Sequence, residues 1–257
     1  FKAMLPDFTI HQSTKDLVLT MKDELTCLTL ERVWKEVEKV MKLEHSHLFY
    51  ETLLELGVLW EIFPQVFNMT MCKENSKYHL EESVFIHSMM VLKELSNESI
   101  ELKLAALYHD IAKPICNELY GNSHGHEKLD LVKPRIDLQI PNKYLLPMLS
   151  IIEHHITIAR VSGMSSRKIA KFLYSLRRDL SNVSNLIKFY SADSNGRETS
   201  VPKSSLPINE ILTSFIHIKR YSPKIWIEKT GYNKPVQIQQ HVHNYNIKVI
   251  NREFNRN

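Results

Sequence analysis

Residues 100–114 read IELKLAALYHDIAKP. His109 and Asp110 follow Leu104, Ala105, Ala106 and Leu107, which places the pair at the buried end of a helix where a purely structural pattern calls for Leu or Ala. A buried ionised carboxylate needs a partner, because uncompensated burial costs several kcal/mol. A metal ion supplies one; the plainer alternative is a helix-end Asp beside a solvated His. Lys113, one turn beyond His109, is either a ligand for a phosphate oxygen or an exposed helix-end lysine.

Further candidate partners flank this stretch in order. His87 stands in VFIHSMMVL between Phe85, Ile86 and Met89, Met90, where a structural histidine is the ordinary expectation. Its segment, SVFIHSMMVLKEL, is predicted to pair antiparallel with the helix carrying His109, which brings the two imidazoles within reach. SHGHE (123–127) supplies His124 and His126, and IIEHH (151–155) supplies His154 and His155. Adjacent histidines on a helix point in different directions, so one of His154 and His155 is expected to face the site. Asp193, in YSADSNGR, closes the set or is an ordinary helix-end Asp. Imidazole nitrogens with carboxylate oxygens suit a divalent metal such as Mg, Mn or Ni, which can activate water against a phosphate ester.

Outward from this core the chain reads as helices. Ser13 or Thr14 is predicted to cap a first helix and Thr29 a second, ERVWKEVEKVMKL, in which Val33, Val37, Val40 and Met41 recur at helical spacing. LFYETLLELGVLWEIFP is a helix stopped at Gly57, then a short one ending near Pro64. Pro114 is predicted to end the His109 element, with CNELYGNSHGHE a loop. KYLLPMLSIIEHHITIAR, SSRKIAKFLYSLRRDL and VSNLIKFYSAD follow as helices. ETSVPKSSLPINE (198–210) is the linker candidate. ILTSFIHIKRY and PVQIQQHVHNYNIKVINREF form a small helical tail.

Composition narrows the class. There are only six glycines in 257 residues, about a third of the usual share, which favours an all-α fold and leaves no glycine-rich phosphate loop. Cys27, Cys72 and Cys116 are far apart, so a zinc ribbon or disulfide framework is not expected. No apolar run approaches a membrane span, and with no signal pattern the expected location is cytoplasmic. Charge is divided: residues 1–160 carry 17 Lys/Arg against 23 Asp/Glu, net −6, and residues 161–257 carry 16 against 6, net +10. A basic C-terminal part can track a nucleic-acid backbone or be a solvated surface.

The ordered set resembles the HD-domain phosphohydrolases. More closely, the chain resembles the C-terminal portion of the bacterial multifunctional CCA-adding enzymes, tRNA nucleotidyltransferases with an appended HD domain. DFTIHQSTKDLVLTM and LTLERVWKEVEKVM resemble that family's neck and body helices, and LFYETLLELGVLWEIFP, FIHSMMVL, LAALYHDIAKP, HGHE, EHH and ADSNGR follow in its order. WIEKTGYNKPVQIQQ resembles its tRNA-contacting tail. The resemblance implies a neck and body at 1–65, an HD phosphohydrolase domain at 66–198 and a linker with a basic, tRNA-binding tail at 199–257.

It further implies His87, His109, Asp110 and Asp193 as metal ligands, and Asp110, Lys113, His126 and His154 or His155 as the catalytic and pocket residues. Arg197, Arg167 and Lys168 are the expected substrate or RNA contacts. Substrates implied are 2′,3′-cyclic phosphates, 2′-nucleotides and small phosphate esters, with tRNA as partner. Two positions depart from the family: Ala112 where Gly is usual, and Asn195 where a basic residue is usual. No D-x-D carboxylate pair of a polymerase head is present, and a start at Phe1 is read as a piece of a longer chain. The rival reading is a non-catalytic tRNA-binding module with a vestigial metal site.

Overall fold

The computed structural model describes residues 1–73, 81–176, 180–199 and 205–256. About 70% of the chain is helical, and among the described residues there is no β-strand. The all-α expectation holds. Among the described residues no helix is long and apolar enough to cross a membrane, and Cys27, Cys72 and Cys116 form no disulfide.

Contacts divide the chain into two compact units, Phe1–Ile156 with Lys188–Lys203, and Thr157–Ile187 with Ser204–Asn257. The expected segment boundaries after residues 65 and 198 both lie inside the first unit.

The first unit opens with α1 (Gln12–Thr20) and α2 (Leu30–Met41). The cap of α1 is His11, whose Nδ1 accepts from Ser13 N at 3.3 Å, rather than Ser13 or Thr14. An imidazole lone pair does here what a hydroxyl does elsewhere. Thr29 caps α2 as expected, accepting from Arg32 N at 3.4 Å. On α2 the residues Trp34, Val37 and Met41 are buried, a single apolar stripe facing the core.

Next come α3 (His47–Glu55), α4 (Leu59–Ile62) and α5 (Pro64–Asn68), with Gly57 at φ +69° turning the chain between α3 and α4. Pro64 begins α5 instead of only ending its predecessor, because a first-turn residue needs no amide hydrogen.

The site-bearing helices follow: α6 (Val84–Glu94), α7 (Ile100–Tyr108), α8 (Lys113–Tyr120), α9 (Leu129–Val132) and α10 (Asn142–Ala159). Ser83 caps α6 through Ile86 N, and α6 packs on α7. The helix expected to run to residue 113 stops at Tyr108, with His109 as its C-cap. Pro114 then lies in the first turn of α8, so CNELY is helical and not loop. Gly121 ends α8 at φ +68°, a left-handed conformation that side chains rarely adopt. Pro147 stands inside α10.

Helix α12 (Leu180–Asn195) contributes its final turns, from Lys188, to this unit. The expected segments SSRKIAKFLYSLRRDL and ETSVPKSSLPINE each fall partly outside the described residues.

In the second unit α11 (Ser166–Ser175), α13 (Ile208–Arg220) and α15 (Pro235–Glu253) pack on one another. Ile169, Leu173, Ile211, Phe215, Val249 and Ile250 form their shared core. The short α14 (Lys224–Thr230) buries no residue. Aromatic contacts fasten it: Trp226 stacks on His241 at 4.0 Å, and Tyr221 stacks on Tyr245 at 3.6 Å. Arg256 donates to the carbonyls of Met164 and Ser162, tying the chain's end to the turn before α11.

Candidate metal centre

His87, His109, Asp110, His126, His155 and Asp193 come together inside the first unit, and all six are at least nine-tenths buried. Five separate pieces of chain supply them. His87 is on the second turn of α6, His109 and Asp110 sit at the end of α7, and His126 lies in the loop before α9. His155 is on α10 and Asp193 near the end of α12.

Three of the imidazoles are aimed by their own backbone. Nδ1 of His109 is 2.9 Å from the Ala106 carbonyl, Nδ1 of His126 is 2.6 Å from Ser123 O, and Nδ1 of His155 is 2.6 Å from Ile152 O. Carbonyl oxygens only accept, so each Nδ1 carries a proton and each ring turns its Nε2 toward the centre. His87 is held differently, with Nδ1 3.1 Å from Glu81 Oε1 and Nε2 3.0 Å from Asp193 Oδ1. A carboxylate behind a histidine is the support metal-ligating histidines commonly have.

These Nε2 atoms and the carboxylate oxygens then face one another. His109 Nε2 lies 3.0 Å from Asp110 Oδ2, yet it is not aligned to hydrogen bond with any group. His126 Nε2 is 2.9 Å from Asp110 Oδ1 and 3.3 Å from His155 Nε2. His109 Nε2 is also 4.0 Å from Asp193 Oδ1. Lone pairs and carboxylate oxygens at these separations repel unless positive charge sits among them. One proton can reconcile one pair; a divalent cation reconciles several.

The donors form two triads, His87–His109–Asp193 and Asp110–His126–His155, each with its ligand atoms within 4.8 Å of one another. Asp110 offers one oxygen toward each, so the donor set fits one ion and has room, in chemistry and spacing, for a second.

Charge at the centre is finely opposed. Burial alone would raise Asp110, but His109, Lys113 and His126 hold it well below the usual carboxylate range. Asp193 is likewise held low against burial, by His87 and Arg197. Burial lowers His87, and its contacts with Asp193 and Glu81 outweigh that, raising it to about 9. His126 is raised by Asp110 against burial, whereas burial and the neighbouring His126 and His109 push His155 down to about 3.

Above the ligands lies a cavity of about 690 Å³, lined among others by Lys73, Lys113, Asn117, Asn122, His124 and Arg197. Lys113 Nζ is 2.8 Å from Asp110 Oδ2, and Arg197 reaches Asp193 Oδ2 at 3.1 Å. Both cations therefore border the ligands and the open space. His124 is exposed at the rim.

These positions resolve the choice the sequence left open between two adjacent histidines. His155 points into the centre, and His154 does not line the cavity. Ile152 O orients the ring three residues on, that of His155. Arg167 and Lys168 stand exposed on the first turn of α11, in the second unit, and do not line the cavity.

Sequence reasoning missed Glu81, which no periodicity ties to His87, and Phe189, whose fully buried ring meets His109 edge-on at 5.4 Å. Phe189 stands one turn before Asp193, a spacing that marks a shared helix face.

Comparison with known proteins gives this arrangement a context. Residues 7–69 match a family model described as "Probable RNA and SrmB-binding site of polymerase A". The "Multifunctional CCA protein" of Pasteurella multocida is 33% identical over 138 residues, covering 50% of this chain and 33% of that protein. The protein of the same name from Mannheimia succiniciproducens is 28% identical over 221 residues, covering 80% of this chain and 52% of that protein. Over these stretches the chain is similar to the multifunctional CCA proteins. It spans a third to about half the length of these relatives. The match to the Mannheimia CCA protein covers most of this chain, and the RNA-binding match lies over α1–α5.

Proposed function

We propose that the centre is that of an HD-type metal-dependent phosphohydrolase within a CCA-adding protein, acting on 2′,3′-cyclic phosphates, 2′-nucleotides and small phosphate esters. On this reading residues 66–198 carry the hydrolase, residues 199–257 a tRNA-binding tail, and the protein works on tRNA 3′ ends in the cytoplasm. The observation that carries it is the convergence of four buried imidazoles and two buried carboxylates into two triads, each with its ligand atoms within 4.8 Å of one another, beneath a cavity edged by Lys113 and Arg197.

His87, His109, Asp110 and Asp193 would hold the cation, with His126 and His155 on the other oxygen of Asp110. A divalent ion, when bound, lowers the pKa of water and offsets phosphate charge. The remaining work belongs to the chain. Lys113 and Arg197 pair with the non-bridging phosphate oxygens. A water oxygen bonds to phosphorus as the bond to one ribose oxygen breaks, leaving a phosphomonoester and a free hydroxyl. Asp110 takes the water proton. Lys113, 2.8 Å from it, gives a proton to the departing oxygen and recovers one from Asp110.

Purified protein with Mn²⁺, Ni²⁺ or Mg²⁺ should open a 2′,3′-cyclic nucleotide, and Asp110→Ala should not. Equal rates in the two proteins end the hydrolase reading. A second reading, a tRNA-binding module whose metal site is vestigial, is favoured by the +10 charge of residues 161–257 and the RNA-binding match over 7–69. It requires salt-sensitive tRNA binding that survives His109→Ala, with no hydrolysis in either protein.

A further inference from the structure

Beside the metal centre lies a second cavity of about 740 Å³. The two share Lys73 and Asn117, so they form one continuous surface. Helix α8 is the wall between them. Lys113 and Asn117, four residues apart, line the metal-centre cavity, while Pro114, Ile115 and Glu118 line the groove.

The lining of the groove is mixed in a way that suits a nucleotide. Pro114, Ile115 and the exposed Met71 offer apolar surface on which a base can lie. Gln65, Asn68 and Asn117 offer amide donors and acceptors to base edges. Asn117 is fixed in place, donating to Cys72 Sγ at 3.3 Å and accepting from Ser123 Oγ at 3.1 Å. Lys73 and Arg135 supply positive charge, against one acid among the described lining residues, Glu118. Arg135 is anchored by NH1, which donates to Leu131 O at 2.6 Å.

A cavity of about 690 Å³ already lies within the size range of small-ligand sites. A free mononucleotide at the metal centre would leave the adjoining groove unused. We infer that this groove binds the nucleotides preceding the terminal one, so that the centre acts on the phosphorylated 3′ end of an RNA chain in preference to free nucleotides. Arg135 and Lys73 take the internucleotide phosphates, and Gln65 and Asn68 take the base edges. This inference rests on the hydrolase reading and names its substrate class.

The test compares 2′,3′-cyclic CMP with a hexaribonucleotide ending in a 2′,3′-cyclic phosphate. Both are assayed on the same preparations of the full chain, with Mn²⁺ present. The expected result is a kcat/KM at least roughly tenfold higher for the hexamer, with that ratio falling roughly tenfold in Arg135→Ala and less in Asn68→Ala. Because each ratio is taken within one preparation, a partly misfolded variant does not disturb it. A ratio near one in the unaltered protein, or a ratio unmoved by both substitutions, overturns the groove assignment and leaves the hydrolase reading standing. Absence of turnover on both substrates overturns the hydrolase reading, and the groove's role with it.

Discussion

His87 Nε2 and Asp193 Oδ1 lie 3.0 Å apart, although 106 residues separate them in the chain. The contact depends on how closely the end of α12 approaches α6. Gly196, three residues past Asp193, sits where an added Cβ would meet Val91 N at 2.8 Å and the Met90 carbonyl carbon at 3.0 Å. Those are backbone atoms in a helix and cannot swing aside.

Gly196→Ala is therefore expected to push the two helices apart and cost about 1–3 kcal/mol of stability, with a matching loss of metal affinity. Urea unfolding and titration calorimetry with Mn²⁺ are the measurements. A variant with unchanged stability and unchanged metal affinity would show that the approach of these helices is not what holds the ligands.

Metal binding should be visible without any substrate. A cation present at 100 times its Kd is expected to stabilise the fold by about 2.7 kcal/mol, raising Tm by several degrees. EDTA should return Tm to its starting value, and His109→Ala should abolish the rise. Thermal unfolding read by circular dichroism decides the matter; equal shifts in both proteins would place the ion elsewhere.

Asp137 gives a pH effect outside the centre. Its carboxylate accepts from Gln65 N at 3.2 Å at the start of α5, and burial pushes it up from 3.8 to about 6 despite that bond. The folded state thus holds this proton more tightly than the unfolded state. The group's contribution to stability falls as pH rises from 3.8 to about 6 and is level above that window. Asp137→Asn retains an oxygen for Gln65 N and never ionises. It should be more stable than the unaltered chain at pH 7, by about 1 kcal/mol once solvent screening is allowed for, and no more stable at pH 4. Urea midpoints at the two pH values provide the check, and an advantage equal at both would contradict it.

For the basic second unit, tRNA affinity measured against salt is informative. If the exposed Arg167 and Lys168 contact phosphates, replacing both with Ala lowers the slope of log K against log salt by roughly one to two. A slope equal to that of the unaltered chain removes both residues from the interface.

Much of the candidate centre was legible along the chain because a metal site, as proposed, restricts residue type. His109 and Asp110 stand out at apolar helical positions against a Leu and Ala background, whereas His87 and Asp193, each ordinary alone, joined them as expected ligands through the family resemblance. The ends of the elements were less legible. Pro64 and Pro114 can stop one helix or start the next, and which they do depends on where the preceding carbonyls find partners.

The sequence by itself determined the helical class, from scarce glycine and 3.6-residue periodicity, and the chemical identity of the donors. Tertiary structure alone decided which histidine of the 154–155 pair enters the centre, that Glu81 stands behind His87 and that Phe189 walls the imidazoles. Only there did Asp110 emerge between two triads. The physical reason is range: periodicity and capping act over a few residues, whereas the candidate centre is fixed by the packing of helices whose side chains lie up to 106 residues apart.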